Sequence, residues 1–338
     1  MANNIRNNSN PKVSILVPIY NGSAYIERCV LSLFNQTFFD IEYIFVNDAA
    51  TDNSMEVLQK VLMQFPERIR QVKIINHITN KGLAAARNTA IEASNGDYIS
   101  VVDSDDYIDH TMIEQLYEKA CAEDADIVVS DIVFEYSNKS ILFSNSVFDS
   151  KEENMYNILI NNKVSHGLWN KLVRRSLYIR PDCKVPNGLN YKEDSHVLIR
   201  LYYFSKKIVK VNHALYHYTQ SNPNSMSSNK VRMHFENVIL FWKLLDKFLI
   251  EHSEFEKYKH ALELTRVQNK VRLMIDTHSS QLRKEYADIF REEENNCMQH
   301  LKKGEKLILL LIRYKLFGLA QLFHILLLIK HKKLAHLF

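Results

Sequence analysis

Glycine is scarce in this chain, with seven in 338 residues: Gly22, Gly82, Gly96, Gly167, Gly188, Gly304 and Gly318. No two stand at the spacing of G-x-G-x-x-G or G-x-x-x-x-G-K-[ST], which removes a dinucleotide fingerprint and a P-loop. A nucleotide bound here must therefore be held by side chains, with or without a metal ion. Cysteine is also sparse. Cys29, Cys121, Cys183 and Cys297 lie far apart, so no cysteine pair has metal-ligand spacing and no disulfide framework is expected. Reduced thiols of a cytosolic protein are the expectation. The polar, Asn-rich start Met1–Pro11 has no apolar stretch, so no secretory signal is expected there. A net positive charge is missing from most of the chain. From Leu301 onward eight Lys/Arg face one acid, Glu305, giving +7 against a total of +4. The body is thus slightly acidic, and a nucleic-acid surface is not expected.

What is present is ordinary for a globular protein, with 46% hydrophobic and 24% charged residues. Over the first ~130 residues, short apolar runs alternate with amphipathic stretches. Val13 to Pro18, Ile41 to Val46, Val72 to Ile75, Tyr98 to Val102 and Ile127 to Ser130 read as strands. Ala24 to Gln36, Asp52 to Phe65, Leu83 to Ala93 and Thr111 to Glu123 read as helices, the second capped by Thr51 or Asp52. Strands separated by such helices predict βαβ units and a mainly parallel sheet. Residues 131–227 show no clear period. Val231 to His252, Phe255 to His278, Ser280 to Leu301 and Glu305 to Lys330 have helical spacing. The pattern predicts two domains, 1–227 and 228–338.

Ligands of such sheets lie at the carboxyl ends of the strands. Three polar clusters fall there: Ile19-Tyr20-Asn21, Asn47-Asp48, and Asp103-Ser104-Asp105-Asp106. Clustered carboxylates repel one another and call for a cation or a hydrogen-bond network. Hard oxygen donors suit Mg²⁺ or Mn²⁺, which can bridge to a diphosphate. The same cluster can also be a polar turn, with Asp109 capping the next helix.

The motifs are more specific. Val13-Ser14-Ile15-Leu16-Val17-Pro18-Ile19-Tyr20-Asn21, Ser32-Leu33 to Gln36-Thr37, and Asn47-Asp48-Ala49-Ala50-Thr51-Asp52-Asn53-Ser54 come first. Asn80-Lys81-Gly82-Leu83, Ala86-Arg87-Asn88 and Gly96-Asp97-Tyr98-Ile99 to Asp106 follow in order over about 100 residues. The series resembles the family 2 glycosyltransferases of bacterial capsule and exopolysaccharide synthesis. The resemblance implies a GT-A-like α/β domain, a UDP-sugar donor, a divalent metal and transfer with inversion. It implies that Asp48 binds the base, that Pro18 and Tyr20 flank the nucleoside, and that Lys81 and Arg87 lie at the donor pocket. Asp103 and Asp105 would contact sugar or ribose, and Asp105 or Asp106 would bind the metal.

Farther on, Trp169-Asn170-Lys171-Leu172 and Glu193-Asp194 resemble the family's acceptor segments. They imply acceptor contacts at Trp169, Lys171 and Glu193, and Asp194 as catalytic base. Tyr216-His217-Tyr218 to Asn222-Pro223-Asn224-Ser225 resembles a further segment, with Thr219 where Arg is usual. If that Arg holds phosphate, His217 or another cation must replace it. Ala49 stands where Gly is usual, so a positive φ there would be strained.

Leu307 to Ile329 is rich in Leu, Ile and Phe but broken by Arg313, Lys315, Gln321 and His324, which makes a poor transmembrane helix. Its Lys-rich flanks fit an amphipathic helix on an anionic membrane surface. The protein is then expected on the inner face of the plasma membrane, acting on a lipid-linked saccharide. A nucleotidyltransferase would show a Gly-rich signature after the first strand, which is absent. A catalytically degenerate nucleotide-sugar-binding module is the non-enzyme alternative.

Overall fold

The computed structural model describes residues 10–335 except 161, 162, 187, 223–230, 278 and 302, and excludes the side chains of 231, 232 and 328–335. The polar start before Asn10 and the Pro223-Asn224-Ser225 motif lie outside the described residues. The chain divides into two compact units, residues 1–158 with 163–225, and residues 159–162 with 226–338.

The first unit is built on one sheet of nine strands: β1 (Val13–Ile19), β2 (Ile41–Asn47), β3 (Val72–Asn76), β4 (Tyr98–Val101), β5 (Tyr107–Ile108), β6 (Ile127–Glu135), β7 (Ser140–Phe143), β8 (Lys171–Arg174) and β9 (Ile208–Thr219). Their order is β3-β2-β1-β4-β8-β6-β9-β5, with β7 on β6. β1 to β4 are mutually parallel. β8 runs antiparallel to β4 and β6, while β9 returns parallel to β6. The sheet is therefore parallel where sequence periodicity is clear and mixed beyond.

Among the described residues the α-helices of this part are α1 (Ile26–Phe34), α2 (Ser54–Leu62), α3 (Leu83–Ala93), α4 (Met112–Glu123), α5 (Lys151–Leu159), α6 (Arg175–Tyr178) and α7 (Glu193–Phe204). α1 buries Ile26, Cys29, Val30, Leu33 and Phe34, the face its apolar spacing defines. Phe34 meets Tyr43 and Phe45 of β2 edge-on at 5.1 and 6.2 Å. Each such ring buries enough area to contribute about 1.5–3 kcal/mol.

β1 is buried along its whole length, as expected of a strand flanked on both sides. Pro18 nevertheless lies within it. Pro18 has no N–H, and that missing donor faces β4. β4 has already left the ladder there: its last bond to β1 runs from Val102 N–H to the Leu16 carbonyl. The proline therefore costs no ladder bond, and the parting of β1 and β4 opens the crevice at their carboxyl ends.

The second unit contains α8 (Val231–Glu251), α9 (Phe255–Asp276), α10 (Ser280–Tyr286), α11 (Arg291–Cys297), α12 (Lys303–Arg313) and α13 (Phe317–Ala335). Two helices expected to be continuous are broken. After α10, Phe290 takes φ 54. The fully buried Lys270 Nζ donates to the Ala287 and Ile289 carbonyls and to Glu294, filling the bonds a continued helix would have made. After α12, Lys315 takes φ 59. Leu316 N–H reaches the Leu311 carbonyl and Lys315 N–H the Ile312 carbonyl, a Schellman closure with Lys where Gly is preferred.

Candidate active site

The loops after β1 and β2 are tied together by side-chain caps. Asn21 Oδ1 accepts from Thr51 N–H at 2.8 Å. Ser54 Oγ accepts from Gly22 N–H, and Asp52 accepts from Ser23 and Ser54 N–H. Asp52 thereby serves the amino end of α2, where an anion is favoured. Asn47 Oδ1 accepts from Ala50 N–H at 2.9 Å, and the turn between them sets Ala49 at φ 57. The strained left-handed residue that replacing Gly implied is therefore present.

Asp48 is 2% exposed. Its carboxylate accepts from Lys81 N–H (2.9 Å) and Gly82 N–H (2.8 Å) and meets His77 Nδ1 at 2.6 Å. Gly82 has φ 88, and a Cβ there would come within 3.1 Å of Asn190 Oδ1. Asp48 thus fixes the loop that begins α3 instead of presenting its carboxylate to a base. The Lys81 side chain is exposed, Tyr20 is 51% exposed, and Pro18 is buried behind them.

α3 packs its small residues Ala84, Ala86 and Ala90 inward, which lets Arg87 reach the crevice from a buried backbone. Arg87 is 3% exposed. One guanidinium nitrogen donates to Asp103 at 2.8 Å; another donates to Asp194 and lies 3.3 Å from Glu193. Residues from the loop after β4 and from α7, about 90 positions apart, therefore meet on one cation. Glu193 and Asp194 open α7, whose amino end favours carboxylates. Burial pushes the Asp194 carboxyl up to about 7, with Arg87 opposing and Glu193 and Asp103 adding. Its side chain keeps 22% exposure, enough to meet a solute.

At the end of β4 the three aspartates part ways. Asp106 is fully buried; Thr219 N–H and Tyr216 OH each donate to one of its oxygens at 2.7 Å. Burial and the neighbouring Asp105 and Asp103 push its carboxyl well above the usual range. The metal role expected of Asp106 does not fit a carboxylate committed on both oxygens; it anchors the loop to β9. Asp105 gives one oxygen to Asn222 Nδ2 at 2.8 Å. Burial and Asp103 raise its carboxyl. Hard oxygens held at like charge, with Asp103 and Asp105 spending one oxygen each on Arg87 and Asn222, fit a divalent cation.

Trp169 and Lys171 correct the expected acceptor contacts. Trp169 is 6% exposed and stacks on Tyr216 and Tyr218 at 4.5 and 4.9 Å. Lys171 is fully buried, its ammonium donating to the Ser165 and Gly167 carbonyls and Asn170 Oδ1. Burial pulls it down to about 7. These side chains support the wall behind the site. Of the expected acceptor residues, Glu193 lies at the crevice.

Arg28 of α1 was not foreseen. Its guanidinium lies 4.4 Å over the Tyr107 ring and donates to Thr219 Oγ1 at 2.7 Å and the Asp105 carbonyl at 3.1 Å. A cation thus stands at Thr219, where the resemblance called for one. Only the packing of α1 beside β5 reveals it; spacing along the chain carries no sign.

The family model "Glycosyl transferase family 2" matches residues 14–184. "Putative glycosyltransferase EpsH" of Bacillus subtilis is 31% identical over 259 residues, covering 75% of this chain and 73% of that protein. Among solved structures, S. aureus TarS 1-349 in complex with UDP-GlcNAc superposes with TM-score 0.70 at 19% identity, over 92% of this chain and 90% of that one. Mannosyltransferase PcManGT from Pyrobaculum calidifontis, in complex with GDP-Man and Mn²⁺, gives TM-score 0.51 at 14% identity, over 93% and 88%. These structural likenesses establish a shared GT-A-like fold.

Proposed function

The chain belongs to glycosyl transferase family 2, and from that premise we propose that it moves a hexose or amino sugar from a UDP-sugar, with inversion, to a lipid-linked saccharide of a bacterial surface polysaccharide. The observation that carries this reading is the junction at Arg87, where Asp103 and the Glu193–Asp194 pair share one cation.

Inversion is a single displacement at the anomeric carbon. The acceptor oxygen forms its bond to that carbon as the bond to the diphosphate oxygen breaks. Asp194 takes the acceptor proton, and a base matched to neutral pH suits that work. Glu193 lies beside it to orient the acceptor. Asp103 and Asp105 would hold a Mn²⁺ or Mg²⁺ ion, which when bound offsets charge on the departing UDP. Arg28 and Lys81 are the nearby cations for the diphosphate. Tyr20 flanks the nucleoside, while Asp48 and Pro18 act from behind by setting the wall. Structures of TarS with UDP-GlcNAc and of PcManGT with Mn²⁺ support the donor and metal classes by likeness of fold.

A panel of UDP-sugars with Mn²⁺ or Mg²⁺, scored by donor hydrolysis, tests the donor class. Asp105→Ala is expected to weaken metal-dependent UDP binding. Asp194→Asn is expected to keep UDP binding and lose transfer; full turnover by that variant would remove the base assignment.

A further inference from the structure

Outside the crevice, the helical unit gathers a second set of metal-ligating side chains. α9 places His260 and Glu263 one turn apart on the same face. α11 ends at Cys297, and the short turn Met298–His300 carries His300 back toward α9. One ligand atom from each of His260, Glu263 and Cys297 lies within 4.8 Å of the other two. The His300 ring centroid stands 4.5 Å from that of His260. We propose that His260, Glu263 and Cys297 form a transition-metal site of the Zn²⁺ class, with a fourth position for His300 or water.

Three features favour a site over a chance gathering. The donors are of three types, a thiol, an imidazole and a carboxylate, drawn from two helices. That set selects Zn²⁺ over Mg²⁺ or Mn²⁺, so it is chemically separate from the hard-oxygen aspartates of the crevice. Asn296 Nδ2 donates to Glu263 Oε1 at 2.9 Å, the outer hydrogen bond that fixes a ligating carboxylate. The surroundings are also polarised. Cys297 is fully buried in a small cluster with Val267, Leu301 and Leu309, whereas His260 is exposed. A metal can enter from the His260 side and meet a dry wall behind the sulfur. Bound there, it would staple α9 to α11 and stabilise this unit, since metal affinity for the folded form is folding free energy.

The test uses the full chain carrying Asp105→Ala, stripped with chelator, so that the crevice does not contribute metal. Titration with Co²⁺ is expected to give a thiolate-to-metal charge-transfer absorption saturating at one equivalent, displaced by Zn²⁺. Cys297→Ser is expected to abolish the absorption. Asn296→Ala is expected to weaken Co²⁺ binding by about 10-fold. His260→Ala, at an exposed position that folding tolerates, is expected to weaken it by more, and it carries the test should Cys297→Ser fail to fold. No charge-transfer band in the parent, a band surviving Cys297→Ser, or unchanged affinity in His260→Ala would each overturn the site.

Discussion

Ala49 holds a left-handed backbone at φ 57 without glycine's freedom. The cost of that conformation is about 1–2 kcal/mol. Introducing glycine also loosens the unfolded chain, at about 0.4–1 kcal/mol. The first effect wins narrowly, so Ala49→Gly is expected to raise stability by about 0.5–1 kcal/mol, read as a higher urea midpoint. Arg87 sits at the other extreme. Removing it leaves Asp103, Glu193 and Asp194 facing one another with little solvent, and Arg87→Met is expected to cost about 3 kcal/mol by the same measurement. Asp194 adds a pH signature. Its carboxyl is raised to about 7 and the base must be ionised. The kcat/KM for transfer is therefore expected to fall as pH drops through about 7 and to level off above it; a profile flat from pH 5 to 8 would count against this base. Asp103, Asp105, Asp194 and Arg87 were legible in the sequence as motif positions. The meeting of Asp103, Glu193 and Asp194 on the one Arg87 guanidinium was not, because it depends on how the loop after β4, α3 and α7 converge. The burial of Lys171 was hidden for a related reason: a lysine looks exposed until three oxygens are seen around it.

At the scale of elements, β9 holds the aspartate loop in place. Its Tyr216 OH donates to Asp106 and accepts from Asp103 N–H. Tyr216→Phe keeps the stacking on Trp169 but leaves a buried carboxylate short of a donor, at about 1–3 kcal/mol. The expected result is that loss of stability together with a raised KM for the donor; a variant with wild-type stability and KM would remove β9 from this role. The first four strands and helices α1 to α4 were readable because short apolar runs there alternate with amphipathic stretches of helical length. β5, β8 and β9 escaped because they are short or carry His and Tyr among apolar residues, so neither period dominates. The breaks at Phe290 and Lys315 escaped because neither is glycine, and the bonds that end those helices come in part from Lys270.

At the scale of the whole molecule, charge and apolar surface gather at the carboxyl-terminal end. No helix among the described residues is long and apolar enough to cross a membrane. α12 buries Ile308, Leu309 and Ile312, so this segment is partly core, and deleting it would expose Val267 and Cys297. Yet Leu319, Leu322, Ile325 and Leu326 of α13 remain 52–54% exposed. An apolar strip in a segment whose sequence from Leu301 onward carries eight Lys/Arg fits the surface of an anionic bilayer. Substitution is therefore a cleaner probe than truncation. Each basic residue near such a surface contributes about 1 kcal/mol. Neutralising Lys330, Lys332 and Lys333 together is then expected to weaken binding to vesicles containing phosphatidylserine by about 100-fold. Raising the salt should weaken the parent in the same direction, because the attraction is screened beyond about 10 Å at 0.1 M. Vesicle binding that ignores both changes would leave α12 and α13 as core-packing helices with a solvated basic end.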